Sequence, residues 1–231
     1  MTFTISQFEV FLLILVRISG FMFTAPFFSL SNVPRRVKAG IALYMTVILF
    51  YTKSFTAPEY TGVIGFSILL IAETLAGAIM GFFANIAYHI LAFAGQMIDT
   101  DIGFSMVSQF DPITNIQTTI SANLYGYLVL LVMMITGLHR YFVRAIIDSF
   151  DVIGLGKVSI NPQFYKLMGQ FLADYFVIGF RIIIPVFASI LIVNTILAIL
   201  SKMAPQMNMF VIGIQIKLLV GLFIFVLIIE M

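Results

Sequence analysis

The stretch "TLAGAIMGFFANIAYHILAFAGQMI", residues 74–98, decides the fold of this chain. It contains no Asp, Glu, Lys or Arg. A helix needs about 20 mostly apolar residues to cross the hydrocarbon core of a bilayer, and in that core its backbone must form all of its own hydrogen bonds. The run is long enough for a complete span, so we predict an all-α membrane protein.

Other apolar runs extend this prediction along the chain. The runs 60–72, 112–139 and 182–201 contain no charged residue, 206–229 contains only Lys217, and 8–30 also qualifies if Arg17 is tolerated within it. The run 39–52 is short for a complete span, and a polar turn with Pro34 and three basic residues, 31–38, precedes it. The alternating ten-residue pattern of outer-membrane strands does not occur. We therefore predict about six helical segments.

The composition supports a membrane protein or a member of an apolar assembly. The 231 residues are 61% hydrophobic and 10% charged, against about 25% charged in soluble domains. The net charge of +2 gives no sign of a nucleic-acid partner. Because no polar linker divides the sequence, we predict a single unit over residues 1–231. The chain ends directly after an apolar run, and we expect a C-terminal truncation from this.

Several charged residues lie inside apolar runs, where each costs about 2.5–3.5 kcal/mol at a helix centre. Glu73, Gly77, Gly81 and Asn85 share one helix face, which also carries a GxxxG contact motif. The charges are compatible with a proton path, with contacts between helices or subunits, or with helices that lie in a protein assembly rather than in lipid. We predict polar contacts between helices or subunits at Arg17, Glu73, Asn85, Asp99, Asp174 and Arg181.

A polar stretch follows the decisive run: "GFSMVSQFDPITNIQTT", residues 103–119. Gly103 can end a helix in the left-handed conformation, and Asp111 followed by Pro112 can start the next one. The intervening residues, 104–110, are predicted to form a short loop. An ordinary helix–helix turn is one interpretation. A secondary transporter or ion channel with a broken-helix site around residues 95–119 is another.

The sequence gives no support for catalysis. Ser105 could act as a nucleophile only with a base such as His89 and an oxyanion hole, and Met106 follows it where a small residue is needed. Two histidines and no cysteine leave no recognisable zinc spacing. We predict a protein that is not an enzyme and that has no cofactor and no metal site.

Three stretches of the sequence are "RISGFMFTAPFFSLSNVPRRVK" (17–38), "AGQMIDTDIGFSMVSQFDP" (94–112) and "KMAPQMNMFVIGIQIK" (202–217). In their motifs, order and spacing they resemble the FliR family of type III secretion export-gate proteins. One departure is Gln215, where many relatives have Pro. Homologous proteins of the virulence secretion system, the injectisome, share this architecture. Between the two systems, we favour a flagellar protein.

The resemblance implies an architecture of kinked helical hairpins. Residues 1–170 would be FliP-like and residues 171–231 a FliQ-like hairpin. The chain would form a hetero-oligomeric ring with FliP and FliQ in the bacterial inner membrane, at the flagellar basal body. FlhB and FlhA would be further partners, and the cargo would be unfolded flagellar proteins.

The resemblance also implies roles for particular residues. In the family, the loop after the central motif projects into the pore and helps to plug it. Here the plug residues would be Phe104, Ser105, Met106, Val107, Gln109 and Phe110, between the helix stop at Gly103 and the start at Asp111 and Pro112. The family motif near the C-terminus corresponds to Ala204, Pro205, Gln206, Asn208 and Phe210.

A scaffold that no cargo touches is a third class of function beside the pore component and the transporter.

Overall fold

The structure, a computed structural model, has helices as its regular secondary structure in the part of the chain that it describes. The described residues are 4–26, 28, 33–104, 119–159 and 163–229. Within these ranges there is no strand, which confirms the predicted all-α class. The helices are α1 (Ile5–Thr24), α2 (Arg35–Thr52), α3 (Gly62–Ile102), α4 (Ile120–Thr136), α5 (Leu138–Val152), α6 (Phe164–Met203) and α7 (Met209–Ile229).

Four of these helices, α1, α3, α6 and α7, are long and apolar enough to cross a membrane. The pair α4 and α5 also passes that test together, but its axis bends by 74° at the break. Gly137 occupies the break with a φ angle of 71°, a conformation that glycine adopts without steric cost. The apolar runs 8–30, 74–98, 182–201 and 206–229 therefore correspond to membrane-capable helices, whereas the short run 39–52 lies in α2, which does not pass that test.

The helix α3 is longer than the sequence predicts. Its 41 residues join the runs 60–72 and 74–98 into one helix of about 60 Å, roughly twice the thickness of a hydrocarbon core. The sequence separates these runs at Glu73. In the structure that side chain is fully buried and paired, so its charge does not interrupt the helix.

The helix α6 shows the same effect, because it extends far beyond the predicted run 182–201. It begins at Phe164, and Pro185 lies inside it. The Ser189 hydroxyl donates to the Pro185 carbonyl at 2.7 Å, one turn later in the same helix. Residues 35–38, which the sequence predicts as part of a polar turn, belong to α2, because this helix begins directly after Pro34.

The chain divides by its internal contacts into two compact units. Unit 1 comprises Met1–Ala87 and Leu130–Lys166, and unit 2 comprises Tyr88–Val129 and Leu167–Met231. These units do not coincide with the portions 1–170 and 171–231 that the resemblance implies. The two units are defined by contacts within this chain, whereas the predicted portions are defined by resemblance to FliP and FliQ. The predicted boundary after residue 170 therefore stays a prediction.

Unit 1 is built around α1, which buries apolar residues between Val10 and Met22. Leu13, Ile14 and Ile18 are fully buried. Residues from α2 and α5, including Ala42 and Ile146, complete this core. Burial of such side chains is the main favourable term in folding, and α1 is therefore the central helix of unit 1.

The contact between α1 and α3 depends on small residues at the GxxxG motif. A Cβ at Gly77 would overlap the carbonyl of Arg17, and a Cβ at Gly81 would lie 2.8 Å from the Ala25 nitrogen. The two backbones can approach this closely only without side chains. The Thr24 hydroxyl also donates to the Ala78 carbonyl across the contact, at 3.1 Å.

Unit 2 has its own apolar core at the C-terminal part of α3. Ile98 and Ile102 contact residues of three other helices: Tyr125 of α4, Val186 and Ile190 of α6, and Phe225 of α7. The rings of Tyr125 and Phe225 meet edge to face at 5.1 Å. This core supports the end of α3 and the start of α4.

Candidate functional site at the junction of α3 and α4

The end of α3 is the first element of the candidate site. The helix ends at Ile102, and Gly103 follows with a φ angle of 97°. The Gly103 amide donates to the carbonyl of Asp99 at 3.1 Å. A residue with a side chain would be strained in this conformation, so glycine suits the helix end. Helix α4 begins at Ile120, and residues 105–118 lie outside the described part of the chain.

A buried contact between Asp99 and Ser121 joins the two helices. The Ser121 amide donates to Oδ2 of Asp99 at 2.9 Å and to Oδ1 at 3.2 Å. The Ser121 hydroxyl also donates to Oδ1. Asp99 is 2% exposed. The first amides of a helix have no partner within it and carry a partial positive charge, so a carboxylate is well placed to accept from them.

A close backbone approach lies beside this hydrogen-bonded contact. A Cβ at Gly95 would lie 2.7 Å from the carbonyl carbon of Ser121, and it would also meet the backbone of Ala122. Gly95 precedes Asp99 by one helical turn and therefore lies on the same face of α3. We call these two contacts together the α3–α4 junction.

Two further residues belong to the surroundings of the α3–α4 junction. The Asp101 carboxylate is half-buried, and its Oδ2 accepts no hydrogen bond from a described residue. The positive charge of Lys217 on α7 attracts this carboxylate. Phe104 is half-buried and packs against the core of unit 2.

The other residues that the resemblance assigns to the plug and to the next helix start cannot be placed. Ser105, Met106, Val107, Gln109, Phe110, Asp111 and Pro112 all lie outside the described residues. Their roles stay predictions.

A second polar cluster lies in unit 1, around the side chain of Arg17. Its Nε donates to Oε2 of Glu73, and both side chains are fully buried. Its Nη1 donates to the carbonyl of Ile153 at 2.9 Å and to that of Ser149 at 3.3 Å. The guanidinium carbon also lies 4.3 Å from the centre of the Phe150 ring. Arg17 therefore binds α3 and the C-terminal end of α5 together.

The remaining acceptor of this cluster fixes the turn after α5. Oε1 of Glu73 accepts from the Gly156 amide at 2.7 Å. The last carbonyls of a helix are negative, so the cation of Arg17 stabilises both the end of α5 and the Glu73 carboxylate. Its Nη2 is buried and has no partner among the described residues. The cluster holds helices in place and presents no nucleophile.

The other predicted polar contacts do not form comparable clusters. Asn85 is half-buried on α3. Asp174 and Arg181 are exposed on α6, two turns apart on one face, and neither forms an ion pair with a described residue. Their role in contacts with other subunits stays a prediction.

The C-terminal family motif forms the connection between α6 and α7. The Ala204 amide donates to the Leu200 carbonyl at 2.9 Å, directly after α6 ends. Oδ1 of Asn208 accepts from the Phe210 amide at 3.2 Å, so Asn208 caps the start of α7. Pro205 and Gln206 lie in the turn between them. The motif therefore sets the geometry of a helical hairpin.

The sequence did not single out Ser121 or Gly156, which complete the two polar clusters. Thr118 and Thr119 stand before Ile120 and Ser121 at the start of an apolar run, a pattern typical of a helix start. That signal predicts a cap but not its partner 22 residues earlier. Among the described residues, no group of three or more His, Asp or Glu side chains could hold a metal ion.

Comparison with known proteins identifies the family. The family model described as "Bacterial export proteins, family 1" matches residues 8–231. The flagellar biosynthetic protein FliR of Bacillus subtilis (strain 168) is 30% identical over 224 residues, which are 94% of this chain and 85% of that protein.

Two further relatives carry the same name. FliR of Escherichia coli (strain K12) is 27% identical over 209 residues, 90% of this chain and 79% of its own length. FliR of Aquifex aeolicus (strain VF5) is 27% identical over 218 residues, 91% of this chain and 81% of its own length. The matched residues include both polar clusters and the C-terminal motif. The chain therefore belongs to family 1 of the bacterial export proteins, the family of the flagellar biosynthetic protein FliR.

Proposed function

We propose that this chain is a non-enzymatic core component of the flagellar type III export gate. Together with FliP and FliQ it forms the pore for unfolded flagellar proteins, in the bacterial inner membrane at the flagellar basal body. Membership of an export family and relatives named as flagellar biosynthetic proteins support an export role. Four membrane-capable helices support a place in a membrane.

The observation that carries the proposal is the α3–α4 junction. The segment assigned to the plug, residues 104–110, follows α3 directly, and α4 returns to α3 through Asp99 and Ser121. A segment that closes a pore must start from fixed points, because a displaced base would displace the seal. Buried hydrogen bonds and a close backbone approach supply such fixed points.

The exposed surface of α6 supports partner subunits. Asp174 and Arg181 lie among large exposed apolar side chains, including Phe180 and Ile184. A charge that faces lipid near the middle of a helix costs about 2.5–3.5 kcal/mol. Contacts with neighbouring subunits would remove that cost, and FliP, FliQ, FlhB and FlhA are the proposed partners. We assign residues 1–170 to a FliP-like portion and 171–231 to a FliQ-like hairpin.

Co-purification tests the assembly. An affinity tag on this chain is expected to recover FliP and FliQ from detergent extracts of cells that express all three proteins. The double variant Asp174→Ala and Arg181→Ala is expected to recover less of both. A chain that purifies alone, and that binds a small solute as a transporter would, contradicts the proposal.

Crosslinking separates a pore component from a scaffold. A photoreactive residue is placed at Met106 or Phe110, and an export cargo is stalled in the pore by a folded domain at its end. Crosslinks to the stalled cargo are expected at both positions. The matched control position is Tyr51, which is 69% exposed at the end of α2. Equal crosslinking at Tyr51, or none at Met106 and Phe110, contradicts contact between cargo and plug.

A further inference from the structure

We propose that the bend between α4 and α5 binds the phosphate of an anionic phospholipid. A cavity of 270 Å³ lies there, lined by Thr136, Gly137, Arg140, Tyr141 and Arg144. None of these lining residues is acidic. The inference goes beyond the proposed function, because it requires only that the chain lies in a membrane.

The first argument is that two arginines suit the cavity to an anion. Arg140 and Arg144 are one turn apart on α5 and share a face of that helix. The Arg140 side chain lies beside the break, since its Nε would be 4.0 Å from a Cβ at Gly137, and it forms no ion pair with a described residue. Nε of Arg144 lies 3.7 Å from Oδ2 of Asp148, in an exposed pair of the kind that contributes little. A guanidinium can donate two parallel hydrogen bonds to one phosphate.

The second argument is the position of the cavity along the chain. Arg140 is the first Asp, Glu, Lys or Arg after the run 112–139. The helix axis bends by 74° at this point, and α5 then buries Ile146 in the core of unit 1 while Arg140 and Arg144 are exposed. A helix with one apolar and one basic face is typical of the membrane surface. Tyrosine is also enriched at that depth, and Tyr141 is exposed.

The third argument is the apolar surface next to the cavity, which favours a lipid over a free anion. The Thr136 hydroxyl donates to the Val132 carbonyl at 2.7 Å, one turn earlier on the same face of α4. Val132 is 48% exposed, and its neighbours Leu131 and Ile135 are 55% and 78% exposed. An acyl chain against these side chains would place its phosphate at the end of α4, beside Arg140. The cavity has roughly the volume of nine water molecules, so it accommodates a headgroup and leaves the acyl chains outside.

Fluorescence quenching tests the site, because the sequence contains no tryptophan. Ile135→Trp therefore provides a single reporter beside the cavity. The full chain is reconstituted into vesicles of phosphatidylcholine with brominated acyl chains, which quench the reporter, and unbrominated phosphatidylglycerol replaces that lipid in rising proportion. The recovery of fluorescence measures the preference for phosphatidylglycerol. A preference of roughly 20-fold is expected, because each arginine near a membrane surface contributes roughly fivefold.

Substitutions in the reporter chain identify the residues that hold the lipid. Arg140→Ala and Arg144→Ala are each expected to lower the preference roughly fivefold. Arg140→Lys should retain more of the preference than Arg140→Ala, because it keeps the charge but loses the planar fork. The matched control is Arg36→Ala, which removes an exposed arginine of α2 that does not line the cavity. It is expected to keep the preference of the unsubstituted reporter chain.

Inorganic phosphate separates a lipid site from a site for the free ion. At matched ionic strength, phosphate and chloride should leave the same preference for phosphatidylglycerol. Displacement of the lipid by phosphate alone overturns the proposal in favour of a free-anion site. Equal quenching in the two lipids, or equal losses in Arg36→Ala and Arg140→Ala, also overturns it.

Crosslinking in cells identifies the occupant of the cavity in the assembled state. A photoreactive residue at Tyr141, which is 66% exposed, is expected to form a crosslink to a phospholipid. A crosslink to another protein, with none to lipid, overturns the proposal and assigns the cavity to a contact between subunits. None of these outcomes depends on the pore function, which the recovery of FliP and FliQ and the crosslinks to cargo test separately.

Discussion

The long helix α3 carries two buried carboxylates that the chain stabilises in different ways. Glu73, in unit 1, is neutralised by the full charge of Arg17 and accepts one backbone amide. Asp99, in unit 2, accepts from the amide and the hydroxyl of Ser121, at the start of a helix. A formal charge therefore satisfies one carboxylate, and helix amides satisfy the other.

The difference indicates different roles. Removal of one partner from a buried ion pair leaves an uncompensated charge, which costs about 3–5 kcal/mol, whereas loss of a helix cap costs about 0.5–2 kcal/mol. The Arg17 cluster binds three elements of unit 1 and should control whether the chain folds. The α3–α4 junction is weaker and lies beside the predicted plug, so it should control geometry more than stability.

The largest expected effect is at the Arg17–Glu73 pair. Arg17→Ala or Glu73→Ala alone should lower the free energy of unfolding by about 3–5 kcal/mol, since the remaining charge stays buried. Arg17→Leu combined with Glu73→Leu should cost less than either single change. Unfolding of the purified chain in detergent, followed by circular dichroism, measures these differences.

The exposed pair of Lys53 and Asp151 is the control for this experiment. Its side chains are 28% and 65% exposed, with Nζ and Oδ2 at 2.6 Å. Lys53→Ala should cost no more than about 1 kcal/mol. If the double Leu variant is as unstable as the sum of the two Ala variants, the buried pair does not act as a unit.

Helix contacts at glycines should give the next largest effect in both units. Gly77→Ala and Gly95→Ala each place a methyl group against the backbone of another helix, so each should cost about 1–3 kcal/mol. Gly40→Ala on α2 has open space around its Cβ and should be neutral or stabilising by up to about 1 kcal/mol. Thermal unfolding compares the three, and an equal response at Gly40 and Gly77 would contradict close helix contact as the cause.

A smaller effect is expected at Ser121. Ser121→Ala removes the hydroxyl that donates to Asp99 but keeps the amide, so it should cost about 0.5–1.5 kcal/mol. Ser189→Ala is a control in the same unit, because the Ser189 hydroxyl donates within its own helix. Asp99→Ala should make the Ser121→Ala change nearly neutral. Additive losses in a double-mutant cycle would show that the two side chains are independent.

The smallest effect concerns the hydrogen bond between Tyr60 and Glu9 in unit 1. The Tyr60 hydroxyl donates to Oε1 of Glu9, and this bond, with some burial and the negative charge of Glu9, raises the pKa of Tyr60 above its usual 10.0. The stabilisation is complete below pH 10 and disappears as the pH rises through the raised pKa. Ultraviolet absorbance of the phenolate, with Tyr60→Phe as the control, follows this titration. Glu9→Ala should lower the pKa of Tyr60, and an unchanged pKa would contradict the contact.

The sequence was sufficient for the helical class because uncharged runs such as 74–98 exceed the length of a span. The sequence-based prediction divided α3 at Glu73, because hydropathy counts every charged residue as unfavourable in a span. Hydropathy cannot show that Glu73 is paired with Arg17, 56 positions earlier. The length of α6 was missed for a related reason: Asp174 and Arg181 interrupt its hydropathy.

The candidate site shows the same limit. A helix end at Gly103 follows from a local backbone preference, and α3 ends at Ile102 in the structure. The cap on α4 could not be predicted, because its donor and acceptor are 22 residues apart and meet only through tertiary contact. Local chemistry is readable from the sequence, whereas the pairing of buried polar groups requires the fold.

Leakage through assembled complexes that lack residues 104–110 tests the central claim most directly. The claim is that this chain forms part of an export pore and that the segment after α3 helps to close it. The deletion should leave the recovery of FliP and FliQ unchanged and should raise dye release per complex well above that of the wild type. Intact complexes that release dye at the wild-type rate would contradict the claim.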